Sequence, residues 1–598
     1  MDLLCDERPA RGSAVGGHRV GGDEQQERIA GSDRLRLRGF PTPALRNGFI
    51  QIGIPEVLNS ARTIVIQGPL VPVLGRAAPG GIQNFMTARP RGREQLRLVT
   101  TASNRHRQRA SLEYTSPVRE RKTWQRVALE WDRRGGPEAF ARQESIAANA
   151  ALVWRHSRLA STLFALDYRE VGGRVAPGIP EYRLDATQPI LGPWLPLALF
   201  NANGPEAEVH RRSATASIQL DSQPNRRLSF RASLEGWWSD VIQERFTTSV
   251  LDLAAGRFAG RREPRHLELP QEAAALRLEG TWRFAGLQAE HKLLAAASAA
   301  HGTSHREEYA LTPAAREALP PDVLSFDPLA PNYFLPAFDP VIYGRTVANR
   351  EEQVRYLSIE VGDRAAWALG RMVATTGLRL DAVEKEVTDL KPGVTLPWAQ
   401  DRTQQFSHHV GLNWQLQPGR LLLFANRSTA FDPTTPVDAR TGRIQDNETT
   451  HGHEAGLRGR ALGGRLDYLA SGFLLLNRHI ARRNPLYNDP IADADQTQPQ
   501  LVAAGAEEFR GGRLQLRWAA TKALQFSLNG VVNRAVTTAS PDLPQEVGRP
   551  LTRLPPVQIA ANLRHQPGFA GGRFSWNAGW TYLGRYMATY PDPQRAEL

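Results

Sequence analysis

Three pairs of histidines stand close enough in the chain to suggest metal binding: His301 with His305, the adjacent His408 and His409, and His451 with His453. Neutral imidazole is a common ligand, but a transition-metal site also needs a matched set of carboxylates or thiolates. No such set accompanies these pairs, and the single Cys5 excludes both a thiolate cluster and an internal disulfide. Solvated or lumenal histidine is the favoured reading, and no metal site is assigned. Carboxylates such as Glu235 and Asp381 could work as general acid and base, yet nothing in one dimension sets the separation of about 5 to 10 Å that such a pair requires. Gly80-Gly81 lacks the helix and Lys of a phosphate cradle, and the chain carries no nucleophile elbow, Walker loop or zinc motif. No catalytic residue and no cofactor are therefore expected. The aromatic residues Trp194, Phe200, Tyr333, Phe334 and Tyr343 offer a different chemistry. They fall in long loops, where their rings could stack on a catecholate or hydroxamate ligand. The same rings would also suit an interfacial girdle or loop packing.

The elements that would position these residues are strands. From about residue 94 onward, runs of roughly ten residues alternate apolar and polar side chains and then break at polar or Gly/Pro-rich stretches. Leu228, Phe230, Ala232 and Leu234 alternate with Arg227, Ser229, Arg231, Ser233 and Glu235; Leu276, Leu278, Trp282 and Phe284 alternate with Arg277, Glu279, Thr281 and Arg283. Val127, Leu129 and Trp131 early in the chain, and Phe574, Trp576, Ala578, Trp580 and Tyr582 near its end, keep the same period of two. A half-buried sheet in a soluble sandwich would alternate too. Three features favour lipid. The strands are long enough to cross a bilayer when tilted, Trp and Tyr gather at strand ends, and short breaks such as Pro418 to Arg420 alternate with long ones such as His305 to Glu352.

Composition agrees. The 598 residues are 41% hydrophobic, the mean hydropathy is −0.41, and no run of about eighteen apolar residues offers a spanning helix. A β-barrel tolerates such an average because only alternate residues meet lipid. Lys and Arg number 74 against 61 Asp and Glu, a formal charge of +13. These cations are almost all Arg and are spread along the whole chain, whereas a nucleic-acid footprint gathers them into a patch, so no nucleic-acid partner is expected. Met1 to Glu27 is polar and has no apolar signal-peptide core.

Ahead of the strands, Leu37-Arg38-Gly39-Phe40, Leu45-Arg46-Asn47-Gly48-Phe49, Val65-Ile66-Gln67-Gly68-Pro69, Val73-Leu74-Gly75-Arg76 and Pro79-Gly80-Gly81-Ile82-Gln83-Asn84 follow one another and end in Thr87-Ala88-Arg89-Pro90. Singly these are turn residues, since Gly takes positive φ freely and Pro fixes its own φ. In this order and spacing they resemble the plug of TonB-dependent siderophore receptors. Barrel segments at Gly377 to Asp381, Phe431-Asp432-Pro433, Glu454 to Leu457 and Arg510-Gly511 extend the resemblance, which covers the chain from about Arg34 onward.

The resemblance implies an all-β fold: a transmembrane antiparallel barrel over residues 93–598 with a partial plug over 29–92 in its lumen, and residues 1–28 left unassigned. It implies Arg38, Gly39, Phe40, Asn47, Gly48, Gly68, Pro69, Gly75, Pro79, Gly80, Gly81 and Asn84 as the plug motif. It further implies that Arg38 and Glu454 clamp plug to barrel. A second clamp of the family has changed on both sides, to Gln67 and Arg513. The ligand-contacting aromatics would be Trp194, Tyr333, Phe334 and Tyr343. About nineteen strand candidates lie between Gln95 and Leu583, where barrels of this type have about twenty-two, so the chain reads as incomplete at both ends, with an open barrel edge.

The function implied is that of a monomeric receptor in the outer membrane, surrounded by lipid. It would import a ferric siderophore and draw energy from the TonB-ExbB-ExbD complex if a TonB box lies upstream. A truncated, non-transporting barrel remnant and a receptor for another ligand such as a glycan or cobalamin are the alternatives within this fold, and a soluble all-β enzyme is the alternative outside it.

Overall fold

The computed structural model describes residues 35–37, 40–42, 44–50, 59–67 and, apart from a few short internal stretches, 81–586. From Gln95 onward the described strands form one sheet that closes into a barrel, apart from Glu181–Arg183, Gly192–Pro193, Leu251–Asp252 and Arg257–Phe258, which make a small sheet of their own in the loops. Twenty strands make up that order, but Glu263–Glu268 and Gln271–Gly286 are two halves of a single stave. Both halves pair with Leu228–Thr247 on one side and with Ala289–Ala310 on the other, and Pro270, which has no N–H for the ladder, stands between them. The barrel therefore has nineteen staves among the described residues, as the alternation predicts. The expected open edge is corrected only in part: Trp576–Leu583 neighbours Gln95–Ser103 in the strand order, but both strands stay exposed along almost their whole length, so this seam is the least packed in the barrel. Every stave pair whose register is resolved is antiparallel, so with an odd number the first and last staves run the same way at this closure.

The barrel is inside out. In the Arg345–Trp367 strand, Leu357 and Ile359 are 56% and 60% exposed, whereas their neighbours Ser358 and Glu360 are 2% and 1% exposed. Leu276, Leu278, Leu378, Leu380 and Phe406 continue this exposed apolar belt on adjoining staves. A continuous outward apolar belt around a polar interior is stable in hydrocarbon and would be an aggregation surface in water. Within the interior, Arg277 and Arg379 both reach Glu360, at 3.2 and 3.0 Å, and Arg379 also holds Asp381 at 2.8 Å.

Connections at one end of the barrel are tight and those at the other end are long. Leu287-Gln288 turns in two residues, both with positive φ, as the twist of a hairpin demands. At the opposite end, the described parts of the loops within 179–208, 250–258 and 311–344 pack on one another. Leu251, Phe258 and Phe326 form a buried cluster there, with Tyr182, Trp194, Phe200 and Tyr333 packed against it. Short periplasmic turns and long outer loops are the pattern of an outer-membrane barrel.

A separate four-stranded sheet is built from the preceding segment, in the order Phe49–Ile50, Ala44–Arg46, Gly81–Thr87, Ser60–Gln67. Ala44–Arg46 runs parallel to Gly81–Thr87, and the other pairs are antiparallel. Asn47-Gly48 makes its two-residue hairpin turn with both φ positive, the preferred chemistry of that turn.

Candidate functional site

The small sheet sits in the barrel lumen, where two of its residues make opposite kinds of contact. Leu45 and Ile82 are fully buried against Val383, Ala430 and Phe431 of the barrel. Arg46, next in sequence and therefore on the other face of its strand, reaches the opposite chemistry. Its Nη1 donates to Glu235 Oε2 at 2.6 Å and its Nη2 to the Asp167 carboxylate. Asp167 also accepts from Asn59, which lies in the plug segment, and from Asn149 of the barrel at 2.7 Å. Arg126 closes the network, donating to Asn59 Oδ1 at 3.0 Å, to Asn149, and to Glu113 Oε1 at 2.8 Å. Arg46, Asn59, Arg126, Asn149 and Glu235 are all buried. Three carboxylates thus face two guanidinium groups in a largely buried setting, where such groups must be paired and hydrogen-bonded to be tolerated.

The plug-motif residues that can be placed act structurally. Asn47 accepts from the Thr87 backbone N–H at 3.0 Å and donates to Thr87 Oγ1 at 3.0 Å, while Gly48 N–H donates to Asn84 Oδ1 at 3.1 Å. Gly81 opens its strand at a φ of 126°, a conformation that favours glycine. Asn47, Gly48, Gly81 and Asn84 therefore tie the hairpin to the neighbouring strand. Phe40 lies in the Phe40–Thr42 strand, which pairs with Leu35–Leu37. Arg38, Gly39, Gly68, Pro69, Gly75, Pro79 and Gly80 lie outside the described residues, as does the 1–28 segment. The expected Arg38 clamp therefore has only its barrel half in view: Glu454 accepts from Ser471 Oγ at 2.9 Å.

Three of the four aromatics proposed for ligand contact pack inside the loops. Tyr343 is 2% exposed and its hydroxyl donates to the Pro336 carbonyl at 2.9 Å. Trp194 packs tilted against Tyr182, and Tyr333 packs edge-on against Phe140 and beside Phe326. Phe334 alone of the four is a largely open ring, at 54% exposure. The histidine pairs do not converge. His409 is buried beside Thr375 Oγ1 at 3.2 Å, while His408, its neighbour along the strand, points to the other face. His305 is held by Asn349 at 2.9 Å, and among the described residues no group of three or more His, Cys, Asp or Glu could hold a metal. Glu235 and Asp381, the carboxylates considered for acid–base work, are instead committed to Arg46 and Arg379.

A family model described as "TonB dependent receptor-like, beta-barrel" matches residues 153–597. The chain belongs to this family. The metal-pseudopaline receptor CntO of Pseudomonas aeruginosa is 24% identical over 481 residues, which make up 79% of this chain and 63% of that protein. The chain thus spans less than two thirds of the length of that curated relative. Among solved structures, the ferric-catecholate import receptor Fiu of E. coli K12 superposes with a TM-score of 0.76 at 15% identity, over 93% of this chain and 81% of that one. The ferripyoverdine receptor of the Pseudomonas aeruginosa outer membrane gives 0.78 at 14%, over 93% and 72%. TonB-dependent receptors are outer-membrane transport proteins and not enzymes.

The Arg46–Glu235–Asp167 contact was not assigned from the sequence. Arg46 stood within a quoted motif and Glu235 on the polar side of an alternating strand. An acid at a lumen-facing position opposite a plug Arg was the available signal, but register alone could not say which stave the plug would face.

Proposed function

We propose that this receptor captures a ferric siderophore, or a metal chelate of similar kind, at the loop-covered end of the barrel and passes it through the lumen as the plug rearranges. The observation that carries this reading is the plug sheet itself, seated in the lumen and held by a compact set of buried polar contacts around Arg46. Buried ion pairs contribute little net stability but are sensitive to loss of one partner, so a small displacement can release them together. The ligand class is supported by the similarity to the metal-pseudopaline receptor CntO, the ferric-catecholate import receptor Fiu and the ferripyoverdine receptor. Energy would come from the TonB-ExbB-ExbD complex, acting on plug residues ahead of those described. Glu454 is proposed as the barrel half of a latch with Arg38; a charge-swap cycle at the two positions should show coupling, and its absence removes the latch.

The test is uptake of iron-labelled chelates by cells that lack their own siderophore receptors and carry this gene with its native flanks, with and without functional TonB. TonB-dependent accumulation of a ferric chelate supports the reading. Accumulation of cobalamin or an oligosaccharide instead would reassign the ligand, and binding without accumulation would make the chain a non-transporting barrel.

A further inference from the structure

Outward of the Arg46 contacts, the lumenal wall holds a cation that nothing among the described residues balances. Arg211 lies two residues from the outer end of the Val209–Ser222 strand. It pairs in register with Val171 and Val241. Asp167 and Glu235, which face the plug, share the parity of Val171 and Val241 on their strands, so Arg211 also points into the lumen. It stands four residues outward of Thr215, the register partner of Asp167. That is about 13 Å along the strand at the usual rise per residue.

Arg211 is only 2% exposed, and among the described residues none of its Nε, Nη1 and Nη2 has a hydrogen-bond partner. No carboxylate acts on it; the one charge that does is the Arg169 guanidinium, of like sign. Around it are further unused donors. Ser239 and Gln243, the diagonal neighbours across the adjacent strand, are equally buried, and Ser239 Oγ and Gln243 Nε2 have no partner either. A guanidinium excluded from water and left unpaired costs several kcal/mol, so a fold that keeps one does so where an anion completes it.

We propose that Arg211, with Ser239 and Gln243, forms an oxyanion-binding site in the outer part of the lumen, which takes a carboxylate or phosphate group. The planar fork of Arg matches either group with two parallel hydrogen bonds, and a hydroxyl and an amide donor beside it suit the remaining lone pairs. Given the import reading, on which this part rests, the oxyanion belongs to the transported chelate, and the site sits between the loops and the plug clamp on the strands that carry Asp167 and Glu235.

The full chain, purified in detergent, is heated at constant ionic strength in chloride, in inorganic phosphate and in citrate. Phosphate or citrate should raise the melting temperature saturably, because a ligand that binds only the folded state stabilises it. Arg211→Gln should weaken that response by about 10- to 100-fold in concentration, the range for losing hydrogen bonds to a charged group, and Arg211→Lys should restore part of it. In chloride alone, Arg211→Gln should melt no lower than the parent, since it removes an unbalanced buried charge. The proposal is overturned if neither anion shifts the parent, or if the Gln variant responds as the parent does. A response to phosphate but not citrate indicates a free inorganic anion as occupant and removes the link to a carboxylate on the chelate. Uptake assays separate the two readings: anion binding with no uptake of any chelate keeps the site and removes the importer, while uptake unchanged by Arg211→Gln keeps the importer and removes the site from its path.

Discussion

Replacing Glu235 by Gln should loosen the plug without disturbing the barrel. The substitution keeps the volume of the side chain and removes the charge that faces Arg46 Nη1 at 2.6 Å. Arg46 still has Asp167, so the loss is that of one hydrogen bond between charged groups, about 1.5–3 kcal/mol. Asp167→Asn should cost a similar amount, and it also weakens the hold on Asn59. In the double variant a buried guanidinium faces two neutral amides, and an uncompensated buried charge adds a penalty of its own. The double variant should therefore exceed the sum of the singles by about 1 kcal/mol or more, as expected for residues that share a partner. Hydrogen exchange followed by mass spectrometry on the detergent-solubilised protein reads this directly at the amides of Ala44–Arg46 and Gly81–Thr87. Each single change should speed their exchange about 10- to 100-fold, at about 1.4 kcal/mol per factor of ten. The reasoning fails if the two substitutions are additive, or if staves remote from the clamp, such as Gln271–Gly286, accelerate equally.

Other expectations concern the wall and the loops. Ile359→Arg places a cation in the exposed apolar belt and should cost about 2–4 kcal/mol, seen as a lower folding yield into lipid vesicles, while detergent solubility is unaffected. In the loop 433–447, Asp438 accepts from the backbone N–H of Arg440, Thr441 and Leu501 at 2.6 to 3.0 Å. Burial pushes its pKa up, but these bonds outweigh burial and hold it below the ordinary Asp value. A depressed folded pKa means that the clasp is fully present above about pH 4 and lost as pH falls through the lowered value; pepsin cleavage near Tyr487, whose ring in the neighbouring loop lies 4.2 Å from the Arg440 guanidinium, should rise only in that acid range, and Asp438→Ala should raise tryptic cleavage in the same loops at neutral pH. Tyr343→Phe removes one buried hydrogen bond and should lower loop stability by about 1 kcal/mol with no change in chelate affinity, whereas Phe334→Ala should weaken chelate binding if the open ring contacts ligand. Equal affinity in the Phe334→Ala variant would move ligand contact elsewhere.

The architecture was legible because it depends on local period. Alternation along Leu228 to Glu235 and Leu276 to Phe284 sets which face of each strand is apolar whatever its neighbours are, and the contrast of short and long breaks sets which ends face the periplasm and which the exterior. Nineteen staves could be counted from such runs, even with one of them broken at Pro270. The Asn47-Gly48 turn was likewise readable, since its backbone demands those residue types. Closure of the sheet was not: whether Trp576–Leu583 reaches Gln95–Ser103 depends on tilt accumulated around the whole barrel, which no single strand encodes. Nor could one dimension tell Tyr343, sealed in a loop core, from Phe334, nine residues earlier and open. Arg46 meets Glu235 across 189 residues of chain, and Arg211 is left without a carboxylate. Both outcomes follow from which lumen-facing positions the closed barrel brings level with one another. Charge composition supplies the partners, but only the register of many staves decides which of them meet.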